Sequence, residues 1–555
     1  MTIIWKRKKI VAAPIEPGPP AHAYPLLIKA LLQSGLTSAP EQTIVYADKK
    51  RLTYRDLAER VSRLASGLAS LGIQRGNTVG VMDWDTHRYL ECFFAIPMMG
   101  AVLRHINPRL SPEQILYTIN HAGDDIILVN NDFLPVLQEI WDRVEPGKKL
   151  VLLTDDGQSP NAGLPIVAEY EDLLKRASAS YDFPELDENT RATTFYTTGT
   201  TGLPKGVYYS HRQLVLHTLV MRASLADAPH GRFTKDDVYM PITPMFHVHA
   251  WGMPYVATML GVKQVYPGRY VPDQLLTLFD REKATFSHCV PTILQMVMTA
   301  AKSKSVSLQG WKVIIGGAAL PRTLAKQALE EGIDIFTGYG MSETCPLLTF
   351  SHLKTEMLGW DLDRQAEIRT LTGRPVSLVQ LRIVDPAMKD VPHDGVSPGE
   401  IVVRAPWLTQ GYLNDPANSA KLWDGGWLHT GDVAVMSPEG YLKITDRIKD
   451  VIKTGGEWVS SIELEDLILR HPGVKEAAVI GIPDPKWSER PLAVVTAKEG
   501  CTVSEDDIKA MLKDCAEKGI ISKYAVPERI VFTDALPKTS VGKLDKKVLR
   551  ETYGK

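Results

Sequence analysis

Cysteine is scarce in this 555-residue chain: Cys92, Cys289, Cys345, Cys501 and Cys515 are scattered, with no Cys-x-x-Cys pair. That pattern excludes a disulfide scaffold and reads as reduced thiols in a cytoplasm-like compartment. No run of about 18 apolar residues occurs, so no integral membrane segment is expected. Neither sign of charge dominates. With 63 Lys and Arg against 65 Asp and Glu, the formal net charge is -2, which leaves no electrostatic footprint for nucleic acid or an acidic membrane. The basic residues Lys6-Arg7-Lys8-Lys9 lead into a Pro-rich stretch from Pro14 to Pro20, not an apolar h-region, so a cleaved secretory signal is not expected. Internal repeats and low-complexity tracts are absent.

What remains is ordinary globular composition, 44% hydrophobic and 23% charged, at a length that allows several core-forming units. Thr53 is a plausible N-cap for a helix whose Leu57, Val61, Leu64, Leu68 and Leu71 recur at helical spacing. Short apolar runs at 79–82, 126–129, 149–153, 285–290 and 312–315 read as strands between helical patterns, which argues for layered α/β architecture. From about residue 370 the texture changes to β-like pieces at 381–384, 399–404 and 441–444, separated by turn residues. After Asp446-Arg447-Ile448-Lys449-Asp450 it resumes as a compact α/β unit of roughly 105 residues.

The segment richest in chemistry is Tyr196-Thr197-Thr198-Gly199-Thr200-Thr201-Gly202-Leu203-Pro204-Lys205-Gly206. Glycine lets backbone approach a bulky ligand, successive N–H groups can point at an anion, and threonine hydroxyls with a lysine ammonium add donors. The loop reads as a phosphate cradle, although flexible connectors share this composition. It is not a Walker A loop, because Pro204 precedes Lys205 and Gly206 follows it.

Other pieces keep it company. Thr337-Gly338-Tyr339-Gly340-Met341-Ser342-Glu343-Thr344 joins a ring that can stack on a base to a carboxylate that can hold Mg2+. Gly316-Gly317-Ala318-Ala319 follows a strand, where backbone can pass a flat base. Asp432, at the end of Trp427-Leu-His-Thr-Gly-Asp, suits two ribose hydroxyls, and Arg447 suits ribose or phosphate. Lys543 follows Gly542 in an exposed-looking loop. Each has a plainer reading: Asp432 as a turn residue, Glu343 as a helix cap, Tyr339 as a core aromatic and Lys543 as a surface charge. His247-x-His249 lacks a third ligand at suitable spacing for a metal site.

In order and spacing, these pieces over roughly residues 40–550 resemble the acyl-adenylate-forming enzymes: acyl-CoA synthetases, peptide-synthetase adenylation domains and firefly luciferase. Pro244-Met-Phe-His-Val-His-Ala-Trp-Gly252, Cys289-Val-Pro-Thr292 and Lys453-Thr-Gly-Gly-Glu-Trp-Val-Ser-Ser461 make the chain most similar to the AMP-forming medium-chain fatty acyl-CoA synthetases. The resemblance implies a large N-terminal domain, residues 1–448, of two layered α/β subdomains and a small distorted β-barrel. A small mobile α+β domain, residues 449–555, is implied to follow it.

It also implies an acid–CoA ligase using ATP, Mg2+ and coenzyme A on a short- to medium-chain fatty acid, or a similar branched, alicyclic or thioether acid. Thr197, Thr198, Gly199, Thr200, Thr201 and Lys205 would hold the β- and γ-phosphates, Glu343 would position Mg2+, and Thr344 would meet the α-phosphate. Gly316, Gly317, Ala318, Ala319, Gly338, Tyr339 and Gly340 would surround the base. Asp432 would hold the ribose, and Arg447 the ribose or phosphate. His247 would stand where acyl pocket and nucleotide meet, with Trp251 and Gly252 lining the pocket.

Lys543 would bridge the attacking carboxylate and the α-phosphate. Lys449 stands at the hinge position, although it also reads as a solvated charge, and rotation there would bring Gly455, Gly456 and Glu457 to the CoA channel. A stand-alone adenylation enzyme that loads a carrier protein in trans is the alternative. The tail Thr552-Tyr553-Gly554-Lys555 lacks a peroxisomal Ser-Lys-Leu ending, and a cytoplasmic enzyme is expected, with a homodimer left open.

Overall fold

The computed structural model describes Gly18 and residues 21–158, 163–197, 203–454, 457–538 and 544–554. The helix expected after Thr53 runs over Tyr54–Ser70. The Thr53 side chain accepts from the Asp56 N–H, and the Asp56 side chain returns the bond to the Thr53 N–H, a complete capping box. Leu57, Val61, Leu64 and Leu68 form its buried stripe.

The strand-like runs assemble into two large sheets. One has seven strands in the order 166–169, 149–153, 126–130, 78–82, 102–105, 191–196 and 206–210. It is parallel except for its last strand, which pairs antiparallel with Arg191–Tyr196. The other has nine strands in the order 374–375, 347–350, 334–340, 312–315, 286–289, 238–239, 263–266, 43–46 and 50–53. Its middle is parallel and both edges turn antiparallel. Near-continuous apolar strands such as Ile126–Asn130 are buried throughout, as a parallel sheet covered on both faces requires. A core containing Val79, Phe93, Phe195, Leu214, Tyr255 and Phe336 joins elements of both sheets.

The β-rich stretch after residue 370 is a four-stranded antiparallel sheet in the order 380–384, 399–404, 428–436 and 442–447. Residues beyond it form a further mixed sheet around the long hairpin 474–484 and 488–497. Its core, with Ile452, Leu464, Ile468, Val479, Val495, Ile508 and Leu512, draws on no residue before 452. The architecture is thus the expected α/β one, with a separate C-terminal α+β unit.

Seven of the 14 histidines are buried in this frame: His87, His105, His211, His217, His249, His288 and His352. Burial disfavours the imidazolium and pushes all seven down, His105, His217, His288 and His352 to about 3 and His211 to about 4. Their folded values lie below the unfolded value near 6.5, so the unfolded chain binds more protons as pH falls through that range. Each group then removes about 1.4 kcal/mol of stability per pH unit. Differential scanning calorimetry should show Tm falling from about pH 6.5 downward, before most carboxylates titrate. His352→Phe, in a pocket already lined by Phe336 and Phe350, should make that fall shallower.

Candidate active site

Ligands of open parallel sheets collect beyond the carboxyl ends of their strands, and the expected residues gather there. Strand Lys312–Ile315 runs directly into Gly316, and its neighbour Asp334–Gly340 carries Gly338, Tyr339 and Gly340. A Cβ on Gly316 would lie 2.9 Å from the Gly338 carbonyl oxygen and 2.9 Å from Cη2 of Trp251. Gly316 is therefore demanded by protein packing. Gly317, at φ +78, starts the exposed run with Ala318 and Ala319. On Gly340 a Cβ would fall 1.5 Å from the Pro346 carbonyl oxygen, so this backbone crossing admits no side chain.

Asp432 and Arg447 face each other in register across strands Leu428–Met436 and Leu442–Arg447. Arg447 Nε lies 3.1 Å from Asp432 Oδ1, and the Tyr339 hydroxyl donates to Asp432 Oδ2 at 2.7 Å. Asp432 is 3% exposed, so this carboxylate ties the nine-stranded sheet to the four-stranded one. A carboxylate offers about four lone-pair positions, which leaves acceptor capacity for further hydroxyls. Tyr339 is the middle of this contact and not a detached core aromatic.

Glu343 sits in the short 3-10 turn Ser342–Thr344 and is buried, which pushes its carboxyl up, against the pull of Tyr412, Arg447 and Lys205. Tyr412 donates its hydroxyl to Glu343 Oε1 at 2.7 Å, and the Lys205 ammonium lies over the Tyr412 ring, 4.7 Å from its centre. Thr197 Oγ1 accepts from the Lys205 N–H at 3.2 Å, closing the base of the phosphate-loop candidate. The Thr344 hydroxyl is engaged with the carbonyls of Met341 and Pro346, so a phosphate contact requires it to turn away. Among the described residues, no group of three or more His, Cys, Asp or Glu is arranged to hold a metal. One hard carboxylate beside a lysine nonetheless fits Mg2+, which keeps several waters and takes one or two carboxylates together with substrate phosphates.

The His247 region has an unusual backbone. Val248, His249, Ala250 and Trp251 have φ of 47, 56, 46 and 57°, and Gly252 follows at 75°. This is one left-handed turn made of four consecutive non-glycine residues, closed by Ala250 N–H to His247 C=O and Gly252 N–H to His249 C=O at 3.0 and 2.9 Å. Its surroundings hold it. Asp85 accepts from the Met245 N–H at 2.8 Å and from the Tyr270 hydroxyl. His249 Nε2 lies 2.8 Å from Thr193 Oγ1. The His217 ring fills the space where a side chain on Gly252 would go, 2.6 Å from that Cβ position. The Trp251 indole packs against His288 with ring centres 5.1 Å apart, and His288 meets the Tyr239 hydroxyl at 2.8 Å.

Lys449 lies in the turn 448–450 just past the last strand of the four-stranded sheet. Its carbonyl accepts from Arg550 at 3.4 Å, and Arg550 also pairs with Asp450. Thr198, Gly199, Thr200, Thr201, Gly455, Gly456 and Lys543 lie outside the described residues. Of Glu457, only its place in strand Glu457–Val459 is described. Sequence reasoning missed Tyr412, Asp85, His217 and His288. Gly411-Tyr412-Leu413 carried no motif signal, and the two histidines sit in ordinary helix and strand patterns.

The profile of the family described as AMP-binding enzyme matches residues 32–413, and that of the AMP-binding enzyme C-terminal domain matches residues 463–543. The chain belongs to the AMP-binding enzyme family. It is 40% identical over 506 residues to a long-chain-fatty-acid–CoA ligase of Thermus thermophilus, covering 91% of this chain and 90% of that one. It is 38% identical over 536 residues to a 3-methylmercaptopropionyl-CoA ligase of Ruegeria lacuscaerulensis, covering 95% and 97%. Among solved structures, ATP-bound MatB from Rhodopseudomonas palustris matches with a TM-score of 0.82 at 26% identity, over 96% of this chain and 99% of that one. Within the family the chain is an acyl-CoA synthetase, a class that uses ATP, Mg2+ and coenzyme A. No helix among the described residues is long and apolar enough to cross a membrane.

The Tyr339–Asp432 contact has a measurable weight. A hydrogen bond to a buried charge is worth about 1.5–3 kcal/mol. Tyr339→Phe should destabilise by that order. In a cycle with Asp432→Asn the two changes should be non-additive by about 0.5–3 kcal/mol. Urea unfolding of the four proteins measures both, and simple additivity would show that the contact carries no coupling.

Proposed function

We propose that this enzyme activates an apolar monocarboxylic acid of short to medium length, with branched, alicyclic and thioether acids in range, and transfers it to CoA through acyl-AMP. A carboxylate oxygen attacks the α-phosphorus of ATP and the bond to the β-phosphate bridge breaks, releasing pyrophosphate. The CoA sulfur then attacks the acyl carbon of acyl-AMP, giving up its proton, and AMP leaves. The observation that carries the reading is the convergence of Lys205, Glu343 and the Asp432–Arg447 pair beyond the strand ends, beside a neutral aromatic wall of Trp251, His288 and Tyr239.

On this reading the 197–205 loop, with Thr197 and Lys205, binds the β- and γ-phosphates. Glu343 holds Mg2+, which when bound offsets the charge that gathers on the departing pyrophosphate. Asp432 and Arg447 hold the ribose, while Tyr339 and the 316–319 and 338–340 backbone flank the base. Thr344 turns to the α-phosphate, and His247 stands between the phosphates and the acyl pocket. Burial keeps His217 and His288 neutral, at about 3. Neither offers a cation for a second carboxylate, which supports an uncharged acyl tail. The relative named for 3-methylmercaptopropionate acts on such an acid. CoA, not a carrier protein, is the acceptor in the names of both relatives. The reaction belongs in the cytoplasm, where ATP, CoA and reduced thiols coexist.

Residues 449–555 are proposed to swing about Lys449 between the half-reactions, bringing Lys543 for adenylation and the Gly455-Gly456-Glu457 strand for thioester formation. Lys543→Ala should slow pyrophosphate release by about 10²-fold or more, as loss of a transition-state donor does. It should still convert supplied acyl-AMP to thioester. Lys449→Pro removes an N–H and fixes φ in the turn, so it should keep acyl-AMP formation and lose thioester formation. Equal loss of both half-reactions in either variant would sink the two-pose scheme.

Acyl length is read with a panel of acids from 3-methylmercaptopropionate to long-chain fatty acids, assayed by pyrophosphate release. Trp251→Gly should raise kcat/KM for longer acids relative to shorter ones, because each methylene newly buried is worth about 0.8 kcal/mol. An unshifted profile would return Trp251 to the core.

A further inference from the structure

One side chain joins the two charged groups assigned to Mg2+ and to phosphate, and it lies in neither of their segments. Tyr412 donates its hydroxyl to Glu343 Oε1 at 2.7 Å, while its ring lies 4.7 Å beneath the Lys205 ammonium. Its loop is strapped to both parents. The Leu413 N–H reaches the Gly206 carbonyl at 2.8 Å, and the Thr409 N–H reaches the Glu343 carbonyl at 3.0 Å. The Thr409 hydroxyl donates to the Tyr208 carbonyl at 3.0 Å. Ser419 Oγ accepts from the Tyr412 N–H at 2.8 Å and fixes the ring's own backbone. A tyrosine that only filled space would not need its hydroxyl on a buried carboxylate and its face beneath a lysine.

We infer that Tyr412 is a positioning residue that sets Glu343 for Mg2+ and Lys205 for phosphate as one unit, through its hydroxyl and its ring respectively. The inference rests on the proposed role of Glu343. Positioning partners of metal-holding groups typically change metal affinity by about 10- to 100-fold when removed. The ring contact is of the kind that changes binding by about 2- to 5-fold at a partly exposed site.

The two functions separate by substitution. ATP is titrated calorimetrically into the full-length enzyme, without acid or CoA, across a Mg2+ series and in EDTA. Tyr412→Phe keeps the ring and should raise the Mg2+ concentration needed to strengthen ATP binding by about 10-fold, leaving metal-free ATP affinity unchanged. Tyr412→Leu should show that shift and also lose about 2- to 5-fold in metal-free affinity. Glu343→Gln is run beside them. If it loses Mg2+ dependence while Tyr412→Phe behaves as the native enzyme, the inference falls and the Glu343 role stands. If Glu343→Gln is itself unaffected, both fall. Equal weakening of metal-free and Mg2+-supported binding in Tyr412→Phe would show general damage and overturn the positioning role.

Discussion

One buried carboxylate holds the candidate site together. Asp432 receives the Tyr339 hydroxyl from the nine-stranded sheet and faces Arg447 on its own sheet's last strand. Taking a carboxylate out of water costs several kcal/mol unless charge and hydrogen bonds compensate, so the pair is no simple gain in stability. What it does is select a geometry. The sheets meet where Tyr339 reaches Asp432 and again where Gly373 pairs with Leu442, and together these contacts set how the two sheets lie. Tyr339, Asp432 and Arg447 are thereby fixed to one another without a ligand, which lowers the reorganisation that the proposed nucleotide binding would require.

The same strand that ends in Arg447 also meets the C-terminal unit. Asp446 accepts the Ser461 N–H at 2.6 Å through Oδ2, and the Ser460 hydroxyl donates to the Thr445 carbonyl. Lys546 pairs with Glu465 at 2.7 Å and reaches Ser461 at 2.5 Å, so the base of the following helix is drawn into the cluster. The Asp446–Ser461 and Thr445–Ser460 contacts span the turn 448–450, whereas those of Lys546 lie within the C-terminal unit. The proposed rotation of that unit at Lys449 would break and remake the spanning pair and leave the Lys546 contacts intact. A small polar seam of this kind suits repeated exchange better than a large apolar interface would.

Local rules made much of the fold legible. Thr53 capped the helix it announced, and the apolar runs became strands, because capping and buried-strand patterns are set by neighbours in sequence. Gly316 and Glu343 also fell just past strand ends, while Asp432 lies within a strand. What stayed hidden acts across long stretches of chain. Tyr412 and Glu343 are 69 residues apart, and Asp85 and Met245 are 160 apart. No spacing rule links such pairs. Gly316 was legible as a special position but for another reason: the indole of Trp251 occupies its neighbourhood. The left-handed turn at 248–251 opposes local preference outright, since valine and tryptophan rarely adopt it, and only the tertiary contacts at its ends account for it.

That turn inverts the ordinary scale of conservative replacement. With φ held between 46 and 57°, a residue there costs about 1–2 kcal/mol unless it is glycine or, more weakly, asparagine or aspartate. At Val248 or Ala250, glycine is the mild change and isoleucine the severe one. Trp251 cannot drift freely among large apolar residues, because each must first accept a backbone most of them avoid. The ring that packs against the Trp251 indole meets no such constraint. His288 lies on a regular strand, with Tyr239 on its own strand behind it, so changes of side chain carry no backbone penalty. Replacement within this packed pair is thus channelled by the backbone towards His288 and away from Trp251.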